Sequence, residues 1–257
     1  MRPALPAAFL SVPLAHRALH DVNDGRPENS RAAVRAALAA GYGIEIDLQL
    51  SSDGCAMVFH DDCLDRLAEA SGPVKALSSA ELHATPLKGG GGAGIPELPE
   101  VLEMVAGQVP LLIELKDQHG EMGVTDGRLE RATAEALKGY RGPVALMSFN
   151  PNSVAELARL APDIPRGIVT SAYDPAEWPE LPEAVCDHLR AIPDYDRADC
   201  SFISHEAYDL SRPLVQQMRE DGVTVLCWTV TSAEQEAAAR IFADNVTFEQ
   251  YLAAFAP

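Results

Sequence analysis

The sequence predicts an α/β protein built as a closed, TIM-type (β/α)8 barrel with a small loop insertion. Short apolar runs alternate with amphipathic stretches, eight of these runs resemble strands, and 257 residues is a common length for one such barrel. A doubly wound open sheet is the alternative that the same alternation allows. Because no long linker divides the chain, we expect residues 1–257 to form one barrel domain.

The predicted strands are short runs rich in Val, Ile, Leu and Phe, as strands buried in a parallel sheet require. In chain order they are residues 9–15, 44–50, 110–115, 143–149, 165–170, 200–204, 223–230 and 239–246. Between the second and third strands, the stretch "LKGGGGAGI" at 87–95 is glycine-rich and has no helical pattern. We therefore expect it to form the loop insertion.

The predicted helices are amphipathic stretches that separate the strands. They comprise residues 29–41, 97–107, 127–139, 152–162, 211–222 and 232–240. Cap residues support several boundaries: Asn29 and Ser30 precede the first helix, Gly41 follows it, Gly222 ends the fifth and Ser232 precedes the last.

Composition limits the classes of partner. With 20 basic and 38 acidic side chains the formal charge is −18, so we expect repulsion from nucleic-acid phosphates and anionic membrane surfaces. No apolar run approaches the roughly 20 residues of a membrane span. We therefore expect a small-molecule substrate, no nucleic acid and no stable membrane insertion, while the oligomeric state stays open.

The N-terminal stretch and the cysteines indicate the compartment. "MRPALPAAFLSVPLAHR" is apolar but broken by prolines, so we interpret it as a lead-in and first strand instead of a signal peptide. The 5 cysteines are odd in number and lack metal-ligand spacing. A reduced, cytoplasmic protein is the expectation.

Two carboxylates interrupt the second predicted strand, "GIEIDLQL". Glu45 and Asp47 lie two residues apart, so their side chains share one face while the isoleucines and Leu48 share the other. The third strand repeats the pattern with Glu114 and Lys116. Chemistry in such barrels lies at the carboxyl ends of the strands, so we expect these side chains near one mouth.

Three converging carboxylates would repel one another and lose their hydration. A hard divalent cation relieves both costs, because such cations take oxygen ligands. Glu45, Asp47 and Glu114 are therefore the candidate metal ligands. A local salt-bridge cluster with Lys116 or Arg17 is the alternative.

Two histidines end apolar runs near these acids. His16 ends the first strand, and His60 ends the run "CAMVF". Imidazole titrates near neutrality, so the pair suits a general acid and a general base, although either residue could instead be structural or solvated. Arg17, which follows His16, has a planar guanidinium suited to phosphate.

These motifs, in this order, resemble the glycerophosphodiester phosphodiesterase family. The resemblance rests on "AHR", "PENS", "AGYGIEIDLQLSSDG" and "VFHDDCLDR", and continues through "IPELPEVL", "LLIELK", "SFN" and "CWTV". It covers nearly the whole chain and is strongest up to about residue 116. Each motif alone is weak, but their shared order and spacing are highly specific.

The resemblance implies a TIM-type barrel that binds one divalent cation, Mg²⁺, Ca²⁺ or Mn²⁺. Its metal-ligand pattern falls on Glu45, Asp47 and Glu114, and its acid/base histidines fall on His16 and His60. The positions that it implies for substrate binding or for support of the site are Arg17, Glu28, Asn29, Lys116 and Trp228.

The chain departs from the family pattern at four places. The turn Ser52-Asp53-Gly54 lacks the family's lysine, although Asp-Gly still favours a tight turn. Ala18 replaces the glycine after His-Arg, and the following loop, "LHDVNDGR", is longer and more polar than usual. In the closing segment "ADNVTFEQY", Phe248 stands where we expect an aspartate. None of these changes removes an implied catalytic group, but they bear on which substrate is used.

The expected reaction is metal-dependent hydrolysis of glycerophosphodiesters to glycerol 3-phosphate and an alcohol. One histidine would take a proton from the nucleophile, either the neighbouring glycerol hydroxyl or water, and the other would protonate the leaving alkoxide. Two alternatives stay open: lysophospholipase D-type hydrolysis of lipid-bearing diesters, and a non-catalytic barrel that binds phosphoesters. A non-catalytic barrel should have lost a histidine or an acid, and all are present.

Overall fold

Eight parallel strands close into a barrel, which confirms the predicted fold. The structure is a computed structural model that describes residues 2–255. The barrel strands are β1 (Leu14–Ala15), β2 (Gly43–Leu50), β4 (Leu111–Leu115), β5 (Val144–Ser148), β6 (Arg166–Thr170), β7 (Phe202–Glu206), β8 (Thr224–Val230) and β9 (Asn245–Phe248). Pairing of β1 with both β2 and β9 closes the ring, and β3 (Ala56–Val58) pairs antiparallel with β2 outside it.

Helices flank this ring, most of them on its outside and the first at one of its ends. They are α1 (Ala8–Ser11), α2 (Arg31–Ala40), α3 (Ser79–Ala84), α4 (Leu98–Val105), α5 (Arg128–Ala136), α6 (Pro151–Leu160), α7 (Glu183–Arg190), α8 (Pro213–Glu220) and α9 (Ala233–Phe242). The predicted caps are confirmed for α2 and α9, where the hydroxyls of Ser30 and Ser232 accept from backbone N–H groups three residues on. Gly41 and Gly222 both have positive φ, as helix-ending glycines require.

Two predicted strands were wrong at one end. Residues 8–11 form α1, and its Phe9 is fully buried inside the barrel beside Leu112, Phe202 and Leu226. Near the C-terminus, α9 continues through Phe242, so the last strand begins only at Asn245. In both places the apolar run is helical and only partly buried, since Leu10 and Ile241 are exposed. Hydrophobicity alone does not distinguish such a run from a strand.

The insertion is larger than the predicted loop at 87–95. That loop is helix-free, as expected, but it belongs to an excursion over residues 51–97 that contains β3 and α3. The excursion has its own apolar cluster, in which Met57, Phe59, Leu64 and Leu82 are buried. Its apolar residues follow neither a helical nor a strand period, so the sequence pattern did not reveal this packing.

The barrel interior divides into an apolar end and a polar end. Phe9 and its neighbours fill the end at which the strands begin, and Asn245 donates to the carbonyls of Phe9 and Val12, which anchors α1 there. The acids of β2 and β4 lie towards the opposite end, where the strands finish. Within residues 2–255, every helix is too short or too polar to cross a lipid bilayer.

Candidate active site

Three acids of two neighbouring strands converge inside the barrel. Strand register places Asp47 of β2 directly opposite Glu114 of β4, and Glu45 lies two residues earlier on the same face. All three side chains are buried. One carboxylate oxygen from each residue lies within 4.8 Å of the others, which is the spacing of a candidate cation site.

A lysine neutralises part of this cluster. Lys116 Nζ lies 2.6 Å from Glu114 Oε1 and 2.8 Å from Asp47 Oδ1. Burial alone would lower the pKa of Lys116, but the two carboxylates raise it above its usual range, so the lysine is charged. The salt-bridge arrangement that we considered as an alternative therefore exists for two of the three acids.

The third acid has an unsatisfied oxygen. Glu45 Oε2 accepts from the backbone N–H of Arg17 at 2.9 Å, but Glu45 Oε1 is buried without a hydrogen-bond partner. Burial, with the charges of Asp47 and Glu114, raises the pKa of Glu45 well above its usual range. The lysine thus leaves an acceptor that a cation would satisfy.

Asp47 is held in its ionised form by its neighbours. Asn29 Nδ2 donates to Asp47 Oδ2 at 2.8 Å, and the Arg17 guanidinium lies 3.7 Å from the same oxygen. Burial would raise the pKa of Asp47, but the charges of Lys116, His60 and Arg17 hold it far below its usual range. An ionised oxygen beside two further carboxylates is the donor set of a hard divalent cation.

His16 is oriented by Glu249, a residue that we did not predict. His16 Nδ1 donates to Glu249 Oε2 at 2.7 Å, and His20 lies 3.3 Å from the same oxygen. Hydrogen bonds from the two histidines hold the pKa of Glu249 far below its usual range. Because the ionised carboxylate can only accept, the proton of the neutral His16 ring lies on Nδ1 and Nε2 is the unprotonated nitrogen.

The electrostatics around His16 favour its neutral form. Burial lowers the pKa of His16, the charge of Arg17 lowers it further, and the carboxylates of Glu249 and Asp47 oppose both effects.

Phe248, where we expected an aspartate, is buried in the core, and Glu249 follows it directly. The signal available in the sequence was therefore an acid one residue beyond the expected place.

His60 is held by a chain of charged side chains. Its Nδ1 donates to Asp61 at 2.7 Å, and Arg66 donates to both oxygens of Asp61 and both oxygens of Glu28. Glu28 in turn accepts from Arg17 at 2.7 Å. The insertion residue Arg66 therefore links the support of His60 to that of Arg17.

Most of the predicted site residues line one cavity of about 80 Å³. Those that border it are His16, Arg17, Glu45, His60, Glu114, Lys116 and Trp228. Asp47, Glu28 and Asn29 do not line it: Asp47 and Asn29 are buried against each other, and Glu28 binds Arg17 and Arg66. In this structure Glu28 and Asn29 support other site residues and do not themselves form the wall.

Two further residues have unusual surroundings. Ala18, which replaces a glycine of the family pattern, has φ of 64°, a conformation that costs a residue with a Cβ about 1 kcal/mol. His205 is fully buried in β7, and its two ring nitrogens lie within hydrogen-bond distance of Thr170 and Asp209. Both hydrogen bonds hold the ring inside the protein, so His205 is not at the pocket mouth.

Comparison with known proteins identifies the family. The profile of the glycerophosphoryl diester phosphodiesterase family matches residues 16–248. The chain is 28% identical over 230 residues to the YhdW protein of Bacillus subtilis (strain 168), with 86% of each chain covered. It is also 28% identical to the glycerophosphodiester phosphodiesterase of Caldanaerobacter subterraneus subsp. tengcongensis, covering 81% of this chain and 82% of that one.

A solved structure agrees over nearly the full length. A phosphodiesterase of Oleispira antarctica, in complex with the product sn-glycerol-3-phosphate, is 26% identical, covers 93% of both chains and superposes with a TM-score of 0.73. The family match spans the barrel from His16 to Phe248 and so includes both histidines and all three acids. The chain therefore belongs to the glycerophosphoryl diester phosphodiesterase family and is a phosphoric diester hydrolase.

Proposed function

We propose that this chain hydrolyses glycerophosphodiesters to glycerol 3-phosphate and an alcohol, using one divalent cation and acid/base catalysis by His16 and His60. One observation supports this most directly. A single cavity is bordered by the imidazoles of His16 and His60, each of which is oriented by a carboxylate. The same cavity is bordered by Glu45, whose buried Oε1 has no hydrogen-bond partner. The product bound to the Oleispira antarctica enzyme agrees with this substrate class.

Glu45, Asp47 and Glu114 would hold the cation. Their three oxygens are close enough together, and the unpartnered Oε1 of Glu45 is the acceptor that Lys116 leaves unsatisfied. When bound, a divalent cation supplies Lewis-acid stabilisation of the negative charge that develops on the phosphate oxygens. Mg²⁺, Ca²⁺ and Mn²⁺ all accept such an oxygen donor set.

The histidines would move the protons. Each ring binds a carboxylate through Nδ1, so in both cases Nε2 is the atom available at the cavity. One Nε2 would accept the proton of the attacking hydroxyl or water, and the other would donate a proton to the leaving alkoxide. Arg17 and Lys116, which border the same cavity, would attract the phosphate.

Release of glycerol 3-phosphate from glycerophosphocholine tests the proposal. We expect turnover that is lost on adding a chelator and restored by Mg²⁺, Ca²⁺ or Mn²⁺, because the three acids need a cation at their centre. An enzyme-coupled assay for glycerol 3-phosphate measures it. Activity confined to lysophospholipids would favour the lysophospholipase D alternative, and no turnover of any diester would favour the non-catalytic barrel.

Replacing Glu249 with glutamine should lower kcat by at least about tenfold. The reason is that the carboxylate orients the imidazole of His16 and stabilises its protonated form, and an amide does both less well. Losing the carboxylate also removes a charge that favours the protonated ring. The limb of the pH–rate profile that reports His16 should therefore move to lower pH, whether His16 is the acid or the base. Steady-state kinetics across pH measure both effects.

Two variants accompany this measurement. Glu249→Asp keeps the charge and should restore the position of the limb in part. Glu234→Gln removes one charge from the exposed surface of α9 and should leave the profile unchanged. An unshifted limb in Glu249→Gln would mean that this carboxylate does not control His16.

A cytoplasmic location is part of the proposal. All five cysteines are free thiols, with three of them buried, as in proteins of reducing compartments. Fractionation of cells that express the chain with a C-terminal tag would test this, and recovery outside the cytoplasm would contradict it.

A further inference from the structure

A second, larger depression opens beside the catalytic cavity. It has a volume of about 540 Å³ and shares with the cavity the side chains of His60, Glu114, Lys116, Phe149 and Trp228. We call it the side groove. A phosphodiester carries two ester-linked groups. Because the side groove is continuous with the proposed phosphate site, the groove is the space available to a group that extends out of the cavity.

Aromatic rings form one wall of the side groove. Phe149 lies between Trp178 and Trp228, with its ring centroid 5.3 Å from each and interplanar angles of 53° and 82°. Tyr173 packs behind Trp178 at 5.1 Å, and the indole of Trp228 donates to the carbonyl of Ser204. These contacts hold the three rings at an angle to one another and fix them against the body of the protein.

Four further carboxylates line the side groove, beside Gly120, Met122 and Leu181. They are Asp61, Asp62, Asp117 and Glu180. Lys116 is the one lysine or arginine among the lining residues, which all lie in the described part of the chain, and it already binds Asp47 and Glu114. The groove therefore combines aromatic faces with negative charge.

We propose that the side groove binds the leaving alcohol of the substrate and selects an alcohol that carries a quaternary ammonium group, as choline does. This inference rests on the proposed function, to which it adds the class of the alcohol. A quaternary ammonium is attracted by the faces of aromatic rings and by nearby carboxylates, and it needs no hydrogen-bond acceptor. Trp178 and Glu180 are the specificity-determining residues.

Other occupants fit these walls less well. A head group with a further phosphate would meet four carboxylates, of which Asp61 is paired with Arg66, and would be repelled by the others. A polyol could donate to the carboxylates but would find no partner on the aromatic faces, and an acyl chain could contact Met122 and Leu181 but would bury carboxylates against hydrocarbon.

Two diesters of equal shape give the test. Glycerol 3-phosphate esterified to choline is compared with the ester of 3,3-dimethylbutanol, in which a neutral carbon replaces the charged nitrogen. The attraction between a cation and aromatic ring faces contributes binding free energy that the neutral ester lacks. We therefore expect kcat/KM to be about tenfold higher for the choline ester. Equal values for the two esters would overturn the proposal, as would a preference for an acylated diester.

Variants locate the preference. Trp178→Leu and Glu180→Gln should each raise KM for the choline ester more than for the neutral ester, so the ratio of the two kcat/KM values should fall. Trp178→Phe should keep most of the preference, since a ring face remains. Glu177→Gln is the matched control, because this exposed acid lies in the same loop but does not line the groove. An undiminished preference in Trp178→Leu and Glu180→Gln would refute the assignment.

A binding measurement separates this inference from the proposed function. The chain has 2 tryptophans, and both border the side groove, so their fluorescence reports on its occupancy. We expect saturable quenching by choline that 3,3-dimethylbutanol does not reproduce and that Trp178→Leu reduces. If no diester is hydrolysed, the proposed function fails, but this titration still tests whether the side groove binds a quaternary ammonium. Absence of saturable quenching by choline would overturn the proposal for the side groove.

Discussion

Replacing His60 with alanine is expected to lower kcat by at least about a hundredfold, the scale of a lost acid/base group. His16→Ala should have a loss of the same order, because each imidazole borders the cavity with one free ring nitrogen. Neither ring is a proposed metal ligand, so cation binding should be largely retained. Steady-state kinetics at saturating cation, together with calorimetric titration of Mn²⁺, measure the two quantities separately.

A matched histidine variant controls for this result. The side chain of His188 is 56% exposed and pairs with Asp194 on the outside of the barrel, so His188→Ala should leave kcat unchanged. Wild-type turnover in His60→Ala would end its assignment as a catalytic residue. Loss of Mn²⁺ binding in the same variant would instead indicate a disturbed metal site.

Replacing Asp47 with alanine is expected to raise the cation concentration for half-maximal activity by more than about tenfold. Asp47 is a proposed ligand, and its removal also leaves Lys116, Arg17 and Asn29 without a shared carboxylate. Even the loss of a residue that only supports a metal ligand lowers metal affinity by about tenfold or more. The loss of a ligand itself should have at least this effect. Titration of activity with Mn²⁺ measures the shift, and calorimetry of Mn²⁺ binding measures affinity without relying on turnover.

Two further variants sharpen this test. Asp47→Asn keeps the shape of the side chain and should show a smaller shift in the same direction, because a neutral amide oxygen is a weaker ligand than a carboxylate. Asp163→Asn removes a charge from an exposed loop and should leave the cation titration unchanged. An identical Mn²⁺ affinity in wild type and Asp47→Ala, with the fold verified by circular dichroism, would remove Asp47 from the ligand set.

The barrel fold could be predicted because its signals are local. Each buried strand is a short apolar run, and each capped helix carries a polar residue or glycine at its boundary, so alternation and caps are visible one element at a time. The errors lie where local signals are ambiguous. The run at 9–11 belongs to a short helix that buries only Phe9, and α7 buries only Cys186 and Leu189, too few residues to show a period.

The candidate acids and histidines could also be predicted, since polar groups within apolar strands are conspicuous. Their partners could not be predicted from the strand pattern. Glu249 lies 233 residues from His16 in the chain, and Arg66 lies 38 residues from Glu28. Such contacts depend on closure of the ring by β1 and β9 and on the packing of the insertion against the barrel mouth.

By itself, the sequence determined the strand–helix alternation, the two-residue spacing that places Glu45 and Asp47 on one face, and the motifs of the family. Only the tertiary structure decided that Glu114 stands opposite Asp47, that Glu249 orients His16, and that Trp178 joins Phe149 and Trp228 along one groove. The physical reason is that backbone geometry sets the direction of side chains along one strand. Register between strands and the packing of distant loops set which side chains meet, and these arise only when the whole barrel has closed.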